Sequence, residues 1–481
     1  MAVSDPLDYR DSEVVFGIVA PVGVDLRQCS AVLRDHLEKF QYAVDEVRLS
    51  GFLRQPHIRS KHRVRIGRKG EHHRITSLMT AGNRVRDISG REDILALYAA
   101  SDITQRRAPG AFTPTAHVLL SLKRPEEVAT LRHIYGPGFF LIGVYGTEAG
   151  RLKYLTEDRG VPHDAARRLL TRDQDEMDPH GQRTSRTFQL ADVFVHLDEH
   201  QLGAFKKSVQ RFIDLAFGAP FETPTREEHA MFLAFAASLR SADLSRQVGA
   251  VVVSSAGDII ATGANDVPAF GGGLYWPGQG DQRDFILGRD SNKEEIERIA
   301  GDIANELFPG ADGITRDRVL QSLRKTRLHD LTEFGRPVHA EMEALLECAR
   351  SGVSPAGGTL FTTTFPCHNC AKHIVDAGIQ RVLFVEPYPK SKASQLHADA
   401  VSLEVEDPTK VSFMPFVGVA ARRYFDVFST RISSGWPLER KRGVRAVEFR
   451  RSEARPRVPM APTSFVERER IATQIIRDTM Q

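Results

Sequence analysis

The sequence predicts an α/β protein of two domains: a doubly wound parallel sheet in residues 1–220 and a three-layer α/β/α domain with a mixed sheet in residues 221–481. Its 481 residues are too many for one hydrophobic core. Strand-like apolar runs alternate with helical patterns in both halves, which is typical of α/β folds. A turn-rich stretch at residues 218–225 separates the two halves.

The first half begins with an apolar run at residues 14–23, which predicts a strand ending in small residues and followed by a helix. Strand candidates at residues 116–122 and 139–145 flank a helical stretch at residues 125–135, which is the spacing of a βαβ unit. The run at residues 188–195 predicts a further strand. Two polar, arginine-rich stretches favour insertions or lids over core: residues 54–91 and 151–187.

The loop between the first strand and the first helix stands where many α/β domains bind phosphate. When Gly23 is aligned with the second glycine of a phosphate-binding loop, Val24 takes the place of the lysine and Asp25 that of the serine or threonine. Because the lysine is missing, ordinary ATP hydrolysis is not expected. Two interpretations stay open: a nucleotide held through backbone amides around Gly23 and Asp25, or a tight turn in a Rossmann-like sheet.

The second half opens with a predicted hairpin, whose strands at residues 248–254 and 259–263 are joined by a tight turn. Asn265 follows the hairpin, at a strand end that a ligand could reach. Residues 269–335 are longer than a connection needs, which predicts a lid, an interface or both, and favours a homo-oligomer. Three later strands complete the predicted mixed sheet, at residues 358–364, 382–385 and 411–419. A helix is predicted between the first two of them, at residues 369–377.

The segment from Pro337 to Cys370 contains four residues that together predict a metal site with an acidic side chain beside it. His339, Cys367 and Cys370 offer one imidazole and two thiolates, which leave a tetrahedral Zn²⁺ with an open position for water. Glu341, two residues after the histidine, suits a general acid and base better than a fourth ligand. Helical patterns start near these donors, so we expect the donors in first helical turns, where the helix dipole stabilises a thiolate.

Composition and cysteine usage bound the class of protein. Four cysteines do not make a disulfide framework, so a reducing cytoplasm is expected. The alternative to a catalytic site is a redox pair, or a structural zinc site that also recruits Cys29 and Cys348. A net charge of +3 gives no global signal for nucleic acid, and no run is long and apolar enough to predict a membrane span. The basic runs at residues 54–69 and 440–457 could bind a nucleotide or RNA, or be solvated faces.

Several segments resemble the two-domain anti-phage dCTP/dCMP deaminases, members of the cytidine and deoxycytidylate deaminase superfamily that carry an N-terminal P-loop-kinase-like domain. The segments are P-V-H-A-E-M-E-A-L, T-L-F-T-T-T-F-P-C-H-N-C, E-P-Y-P-K-S, R-Q-V-G-A-V-V-V, G-A-N-D-V-P, S-L-K-R-P-E-E-V and L-A-D-V-F-V. H-x-E with P-C-x-x-C is the signature of zinc nucleobase deaminases. The resemblance implies a cytidine-deaminase fold, with Zn²⁺ on His339, Cys367 and Cys370. It also implies Glu341 as the proton shuttle and Asn265 as a sugar or base contact.

The resemblance further implies hydrolytic deamination of deoxycytidine nucleotides, dCTP, dCMP or both, with release of ammonia, which would deplete these nucleotides during phage infection. A regulatory nucleotide or RNA is the implied partner of the N-terminal domain. Donor groups near strand ends suit phosphate, which makes six residues candidate phosphate contacts: Ser245, Arg246, Tyr388, Lys390, Arg422 and Arg423. Two other functions stay open, namely a cytidine or adenosine deaminase acting on single-stranded RNA or DNA, and a nucleotide- or RNA-sensing regulator.

Overall fold

The computed structural model describes residues 12–67, 70–107, 113–174, 176, 178–197, 202–310, 312–326, 328, 331–388 and 391–480. The chain forms two compact units: residues 1–228 with residues 417–481, and residues 229–416. The predicted domains, 1–220 and 221–481, differ from these units mainly at the C-terminus, since the segment from Val417 belongs to the first unit. Across the described ranges, none of the helices combines the length and the apolar character that a bilayer crossing needs.

Strands and helices are numbered in chain order. The strands are β1 (Val14–Val19), β2 (Ala43–Arg48), β3 (Thr115–Leu120), β4 (Phe139–Tyr145), β5 (Val193–His196), β6 (Gly249–Val253), β7 (Ile259–Ala264), β8 (Thr359–Thr364), β9 (Arg381–Glu386), β10 (Val401–Leu403), β11 (Val411–Pro415), β12 (Gly418–Val419), β13 (Lys441–Arg442) and β14 (Arg445–Ala446). The helices are α1 (Leu26–Leu37), α2 (Leu49–Phe52), α3 (Pro56–Lys61), α4 (Gly70–Ser89), α5 (Ile94–Arg106), α6 (Pro125–Tyr135), α7 (Glu148–Lys153), α8 (His163–Gln174), α9 (Thr184–Phe188), α10 (Leu202–Ala216), α11 (Arg226–Ser238), α12 (Asp284–Leu287), α13 (Ser291–Leu307), α14 (Gly313–Leu323), α15 (Ala340–Ser351), α16 (His368–Asp376), α17 (Ala393–Leu396), α18 (Tyr424–Phe428) and α19 (Pro462–Met480).

The first unit is built on a six-stranded sheet with the order β12-β5-β4-β1-β3-β2. The strands β1 to β5 pair in parallel, as predicted, and only the short edge strand β12 is antiparallel. Every residue of β1 is buried. Because a strand exposes alternate side chains on opposite faces, this burial means that both faces of the sheet are covered, as parallel sheets require.

The second unit contains a mixed sheet with the order β10-β11-β9-β8-β6-β7. The predicted hairpin is confirmed as the antiparallel pair β6 and β7, whereas β8 to β11 pair in parallel. Side chains from this sheet, from α15 and from α16 share one hydrophobic core. The mixed α/β architecture predicted for this half is therefore confirmed.

Two predicted strands are wrong in extent. In the run 188–195, Phe188 ends α9 and packs on Phe194, so the strand begins only at Val193. The run 411–419 divides after Pro415 into β11 and β12, which belong to different sheets. A proline has no N–H for a ladder and marks strand ends, which is the physical reason for the break.

Candidate active site

Three side chains that can bind a metal converge at the N-termini of two helices in the second unit. His339 directly precedes α15, Cys367 directly precedes α16, and Cys370 lies in the first turn of α16. His339 Nδ1 lies 3.3 Å from Cys367 Sγ and 3.2 Å from Cys370 Sγ, and the three donor atoms all lie within 4.8 Å of one another. With Zn–N of about 2.0 Å and Zn–S of about 2.3 Å, a tetrahedral site separates such atoms by about 3.6 Å. The three residues therefore fit Zn²⁺.

Close packing of α15 on β7 places the histidine. A Cβ atom added to Gly263 would lie 2.1 Å from the carbonyl oxygen of Ala340, so only glycine allows the helix to approach this strand. The backbone N–H of Val338 donates to the carbonyl oxygen of Asp266 at 2.9 Å. These two contacts tie the start of α15, and with it His339, to the end of the hairpin.

The electrostatics of the site favour anionic sulfur. The backbone N–H of Cys370 donates to Cys367 Sγ at 3.4 Å, as expected at a helix N-terminus. Hydrogen bonding with the side chains of Cys370 and His339 lowers the pKa of Cys367 to about 4. Because the thiolate is the form that binds zinc, the fold prepares Cys367 as a ligand.

Glu341 is a buried carboxyl group in the first turn of α15. Only 4% of its surface is exposed, and burial raises its pKa above the ordinary value, against the opposing charge of His339. A carboxyl group with a raised pKa holds a proton more readily than an ordinary carboxylate, and can pass it on to a nearby base. Glu341 therefore has the properties that a proton carrier needs.

His339 and Cys367, two of the three metal-binding residues, line a cavity of about 310 Å³. The cavity also contains four of the predicted substrate contacts, which come from separate parts of the chain: Ser245, Arg246, Asn265 and Tyr388. The structure thus brings together seven of the residues that the sequence singled out, with Glu341, His339 and Cys367 in the same wall.

The surrounding backbone and an aromatic ring orient two of these side chains. Asn265 Oδ1 accepts a hydrogen bond from Val248 N at 2.6 Å, and Asn265 Nδ2 donates to the carbonyl oxygen of Arg246 at 2.9 Å. The Arg246 guanidinium lies 5.2 Å from the ring centroid of Tyr388 and 3.7 Å from Glu386 Oε1. A cation stacked on an aromatic face therefore borders the cavity.

The insertion at residues 269–335 supplies cavity residues that the sequence did not single out. Asp290, Asn292 and Lys293 at the start of α13 line the cavity, and Lys293 Nζ lies 3.3 Å from Asp290 Oδ2. The length of the insertion was the available signal. Which of its side chains face the cavity depends on how α13 packs, which no spacing rule contains.

Several other predicted residues lie elsewhere. Lys390 lies outside the described residues. Arg422 and Arg423 belong to the first unit, where they lie 3.1 and 3.3 Å from Asp192 Oδ1, so their charges balance a buried carboxylate of that unit.

The alternative all-cysteine site is not formed among the described residues. Cys29 and Cys348 are both buried, and the metal-binding cluster contains neither. Cys348 instead packs in the hydrophobic core of the second unit.

Gly23 and Asp25 lie in the loop between β1 and α1 of the first unit. Gly23 has a φ of +93°, and a Cβ atom there would lie 2.8 Å from the carbonyl oxygen of Arg151, so the position requires glycine. Asp25 is the N-cap of α1, and its Oδ1 accepts a hydrogen bond from Arg27 N at 3.0 Å. Its carboxylate thus serves the helix that it precedes.

A cavity that joins an imidazole, two thiolates and a buried carboxyl group is typical of zinc-dependent hydrolases. Residues 224–386 match the family model described as "Cytidine and deoxycytidylate deaminase zinc-binding region". The deoxycytidylate deaminase of Enterobacteria phage T2 is 32% identical over 160 residues, which are 33% of this chain and 79% of that protein. The probable deoxycytidylate deaminase of Drosophila melanogaster is 27% identical over 182 residues, 37% of this chain and 70% of that protein.

A solved dCMP deaminase of the cyanophage S-TIM5, in complex with dCMP and dUMP, is 22% identical. The superposition with this deaminase covers 41% of the present chain and 100% of the deaminase chain, with a TM-score of 0.25. On the evidence of the phage T2 relative, this chain belongs to the cytidine and deoxycytidylate deaminase family. The family and the His/Cys/Cys cluster establish Zn²⁺ as the cofactor and nucleotide deamination as the class of reaction.

Proposed function

We propose that this chain deaminates deoxycytidine nucleotides, dCTP, dCMP or both, to deoxyuridine nucleotides with release of ammonia. The observation that carries the proposal is the buried Glu341 beside His339, Cys367 and Cys370, in a cavity that also presents Arg246. The relatives named deoxycytidylate deaminases support the choice of substrate.

His339, Cys367 and Cys370 would hold Zn²⁺, which as a Lewis acid lowers the pKa of water towards neutrality. Glu341 takes the proton from the attacking water and passes it to N3 of the cytosine ring, while oxygen bonds to C4. Glu341 then takes the proton of the new C4 hydroxyl group and passes it to the amine, so that the C4–N bond breaks, the C4 carbonyl forms and ammonia leaves. Its burial keeps bulk water from exchanging the proton during these steps.

The remaining cavity residues would position the nucleotide. Asn265, whose amide orientation is held by the backbone around Val248, contacts the sugar or the base. Ser245, Arg246 and Tyr388 contact the phosphate, together with Lys390.

The proposal is tested by measuring ammonia release by the zinc-loaded full chain. The substrates to compare are dCMP, dCTP, deoxycytidine and a cytidine-containing single-stranded oligonucleotide. We expect turnover of the free nucleotides and a much higher KM for deoxycytidine, which lacks the phosphate. Turnover of the oligonucleotide alone would replace the proposal by nucleic-acid deamination. Binding of nucleotides without any ammonia release would favour a sensing regulator.

The first unit is proposed as a P-loop-kinase-like regulatory domain that takes a nucleotide or RNA around the loop of Gly23 and Asp25. Its parallel sheet with a loop and helix after β1 supports this role. Depletion of deoxycytidine nucleotides in anti-phage defence is proposed on the resemblance of the sequence motifs. A bacterial strain producing the chain should lose dCTP and restrict phage growth, and a strain producing the Glu341→Gln variant should do neither.

Assembly into a homo-oligomer is proposed because the insertion exposes large apolar side chains. Phe270, Trp276 and Phe285 are 105%, 65% and 44% exposed. Light scattering on the purified chain should give a mass above one chain, and a monomer at micromolar concentration would contradict this part of the proposal.

A further inference from the structure

The first unit contains a second cavity, of about 410 Å³, at the carboxyl ends of three parallel strands. Its lining includes the loop after β1, Arg48 at the end of β2 with the two residues that follow, and Ser121 and Lys123 after β3. Ligands of open parallel sheets bind at this edge, where loops from neighbouring strands converge. Ser121 has a φ of +73°, a strained conformation for a residue with a side chain and one that clusters at ligand sites.

The charge of the lining favours an anion. Six arginines and one lysine line it against three carboxylates, so cations stay in excess although Arg86 pairs with Glu127, and Arg48 with Glu46, outside the lining. Such an excess within a concave surface concentrates the field on one bound anion. The cavity differs in this respect from the zinc cavity, whose lining mixes cations and carboxylates.

Two of the arginines that line the cavity, Arg74 and Arg159, share the carboxylate of Glu71. Arg74 donates two hydrogen bonds to Glu71, from Nε and Nη2, each of 2.6 Å. Arg159 also donates to Glu71, from Nε at 3.1 Å and from Nη2. Because a single carboxylate lies between two guanidinium groups, one positive charge is left for a ligand. Glu71 occupies Nε and Nη2 of both groups, so the Nη1 edge of each guanidinium is the part that can donate to the oxygens of a phosphate.

The buried Arg86 adds an independent sign of a missing partner. Its side chain is 2% exposed, and its Nη2 donates to Glu127 Oε1 at 3.0 Å. Its Nε lines up with no hydrogen-bond acceptor among the described residues, although Arg86 borders the cavity. A buried donor without a partner is costly, so the protein alone does not fully satisfy this part of the cavity lining.

The loop of β1 already holds an internal anion. Asp173 is fully buried, and its carboxylate accepts hydrogen bonds from Val22 N and from Lys123 Nζ, both at 2.8 Å. Lys123 Nζ also donates to the carbonyl oxygen of Ala20 at 2.7 Å. Two donors that a phosphate would use at this loop, Val22 N and Lys123 Nζ, are therefore occupied by a side chain of α8. The arginines are better placed than this loop to contact the phosphate.

One part of the lining is apolar. Side chains from three helices contribute, namely Leu53 beside α2, Ile75, Leu78 and Met79 of α4, and Leu95 of α5. A ligand that satisfies both parts of the cavity has a phosphate at one end and an apolar or aromatic body at the other. Its chemistry is that of an organic phosphate.

We propose that this cavity binds a small organic phosphate, with Arg74 and Arg159 as its phosphate contacts and Asp173 as a competing internal anion. The inference deepens the regulatory role proposed for the first unit and rests on it in that respect. It names the ligand class and moves the contacts from the loop of Gly23 to side chains of α4 and of the turn after Asp158. Direct binding measurements keep it separate from deamination, since they do not require turnover.

Calorimetric titration of the full zinc-loaded chain with inorganic pyrophosphate and with ATP tests the proposal. We expect binding to the wild-type chain and at least tenfold weaker binding to Arg74→Ala and Arg159→Ala. Arg84→Ala is the matched control, because Arg84 lies on the same helix, pairs with Asp87 and does not line the cavity. Absence of binding at millimolar ligand, or equal affinity in all four proteins, would overturn the proposal.

Asp173→Asn provides a gain of binding that misfolding cannot mimic. The amide keeps the shape of the carboxylate and removes the charge that neutralises Lys123. We expect pyrophosphate to bind several times more tightly to this variant than to the wild-type chain. Unchanged or weaker binding by a folded Asp173→Asn chain would refute the role of Asp173 as an internal anion.

Discussion

The two cavities of this protein lie in comparable places and are built in opposite ways. Each lies beside the carboxyl ends of parallel strands, one next to β8 and β9 and the other next to β1, β2 and β3. In the zinc cavity the reactive groups come from one short stretch and sit at helix N-termini. In the basic cavity the charges come from helices and loops spread over more than a hundred residues.

The difference shows how chemistry constrains sequence. A metal ion demands particular donor atoms at particular distances, so consecutive helix starts supply them through short motifs. A phosphate accepts donors from any direction, so scattered arginines can bind it without a common motif. A short sequence motif therefore reveals a metal site of this kind, whereas a site built from scattered arginines has no motif by which it can be recognised.

Removal of a zinc ligand should separate the two cavities most strongly. Cys367→Ala should lose zinc and all measurable ammonia release, because two remaining donors cannot hold the ion. Pyrophosphate binding by the first unit should stay as in the wild-type chain. Metal analysis, ammonia assay and calorimetry check these outcomes.

Cys348→Ala is the matched control for that variant, since it removes a buried cysteine that is not in the metal cluster. It should keep zinc and turnover. Zinc retention in Cys367→Ala, or zinc loss in Cys348→Ala, would contradict the assignment of ligands.

Loss of the proton carrier should spare the metal and stop the chemistry. Glu341→Gln keeps the size of the side chain, so zinc content should match the wild-type protein, while kcat should fall by about 10² or more. Steady-state ammonia release and metal content measure the two effects. A variant with nearly normal kcat would disprove the role of Glu341.

Removal of Arg246, the proposed phosphate contact, should act on binding. Arg246→Ala should raise KM for dCMP or dCTP by about tenfold with a smaller change in kcat, as expected for one charged hydrogen bond. KM for deoxycytidine, which has no phosphate, should change little. An equal rise for the nucleoside and the nucleotide would indicate a structural role for Arg246 instead.

The smallest effect concerns the packing that places His339. Gly263→Ala should lower the free energy of unfolding by about 1–3 kcal/mol, because the new methyl group collides with the backbone of α15. Gly301→Ala is the control: nothing lies within 4 Å of its added Cβ atom, and alanine favours a helix. Denaturant unfolding of both variants measures the difference, and similar destabilisation of the two would argue against the collision.

Much of the second unit could be predicted from the sequence alone. The hairpin, the mixed sheet and the convergence of His339, Cys367 and Cys370 follow from local patterns, since periodicity, turn residues and ligand spacing act over a few residues. The strand ends at residues 188–195 and 411–419 could not, because Phe188 closes a short helix and packs on Phe194, and the chain after Pro415 leaves its sheet to pair with the distant strand β5.

The sequence by itself determined the donor atoms of the zinc site, the acidic side chain beside them and the α/β class, because these depend on residue type and short spacing. Only the tertiary structure decided which side chains of the insertion face the zinc cavity, and that Arg422 and Arg423 serve Asp192. It alone also gathered Arg74, Arg159 and Asp173 around one cavity. Packing between segments that are distant in the sequence decides which side chains meet, and no local segment contains the information that determines this packing.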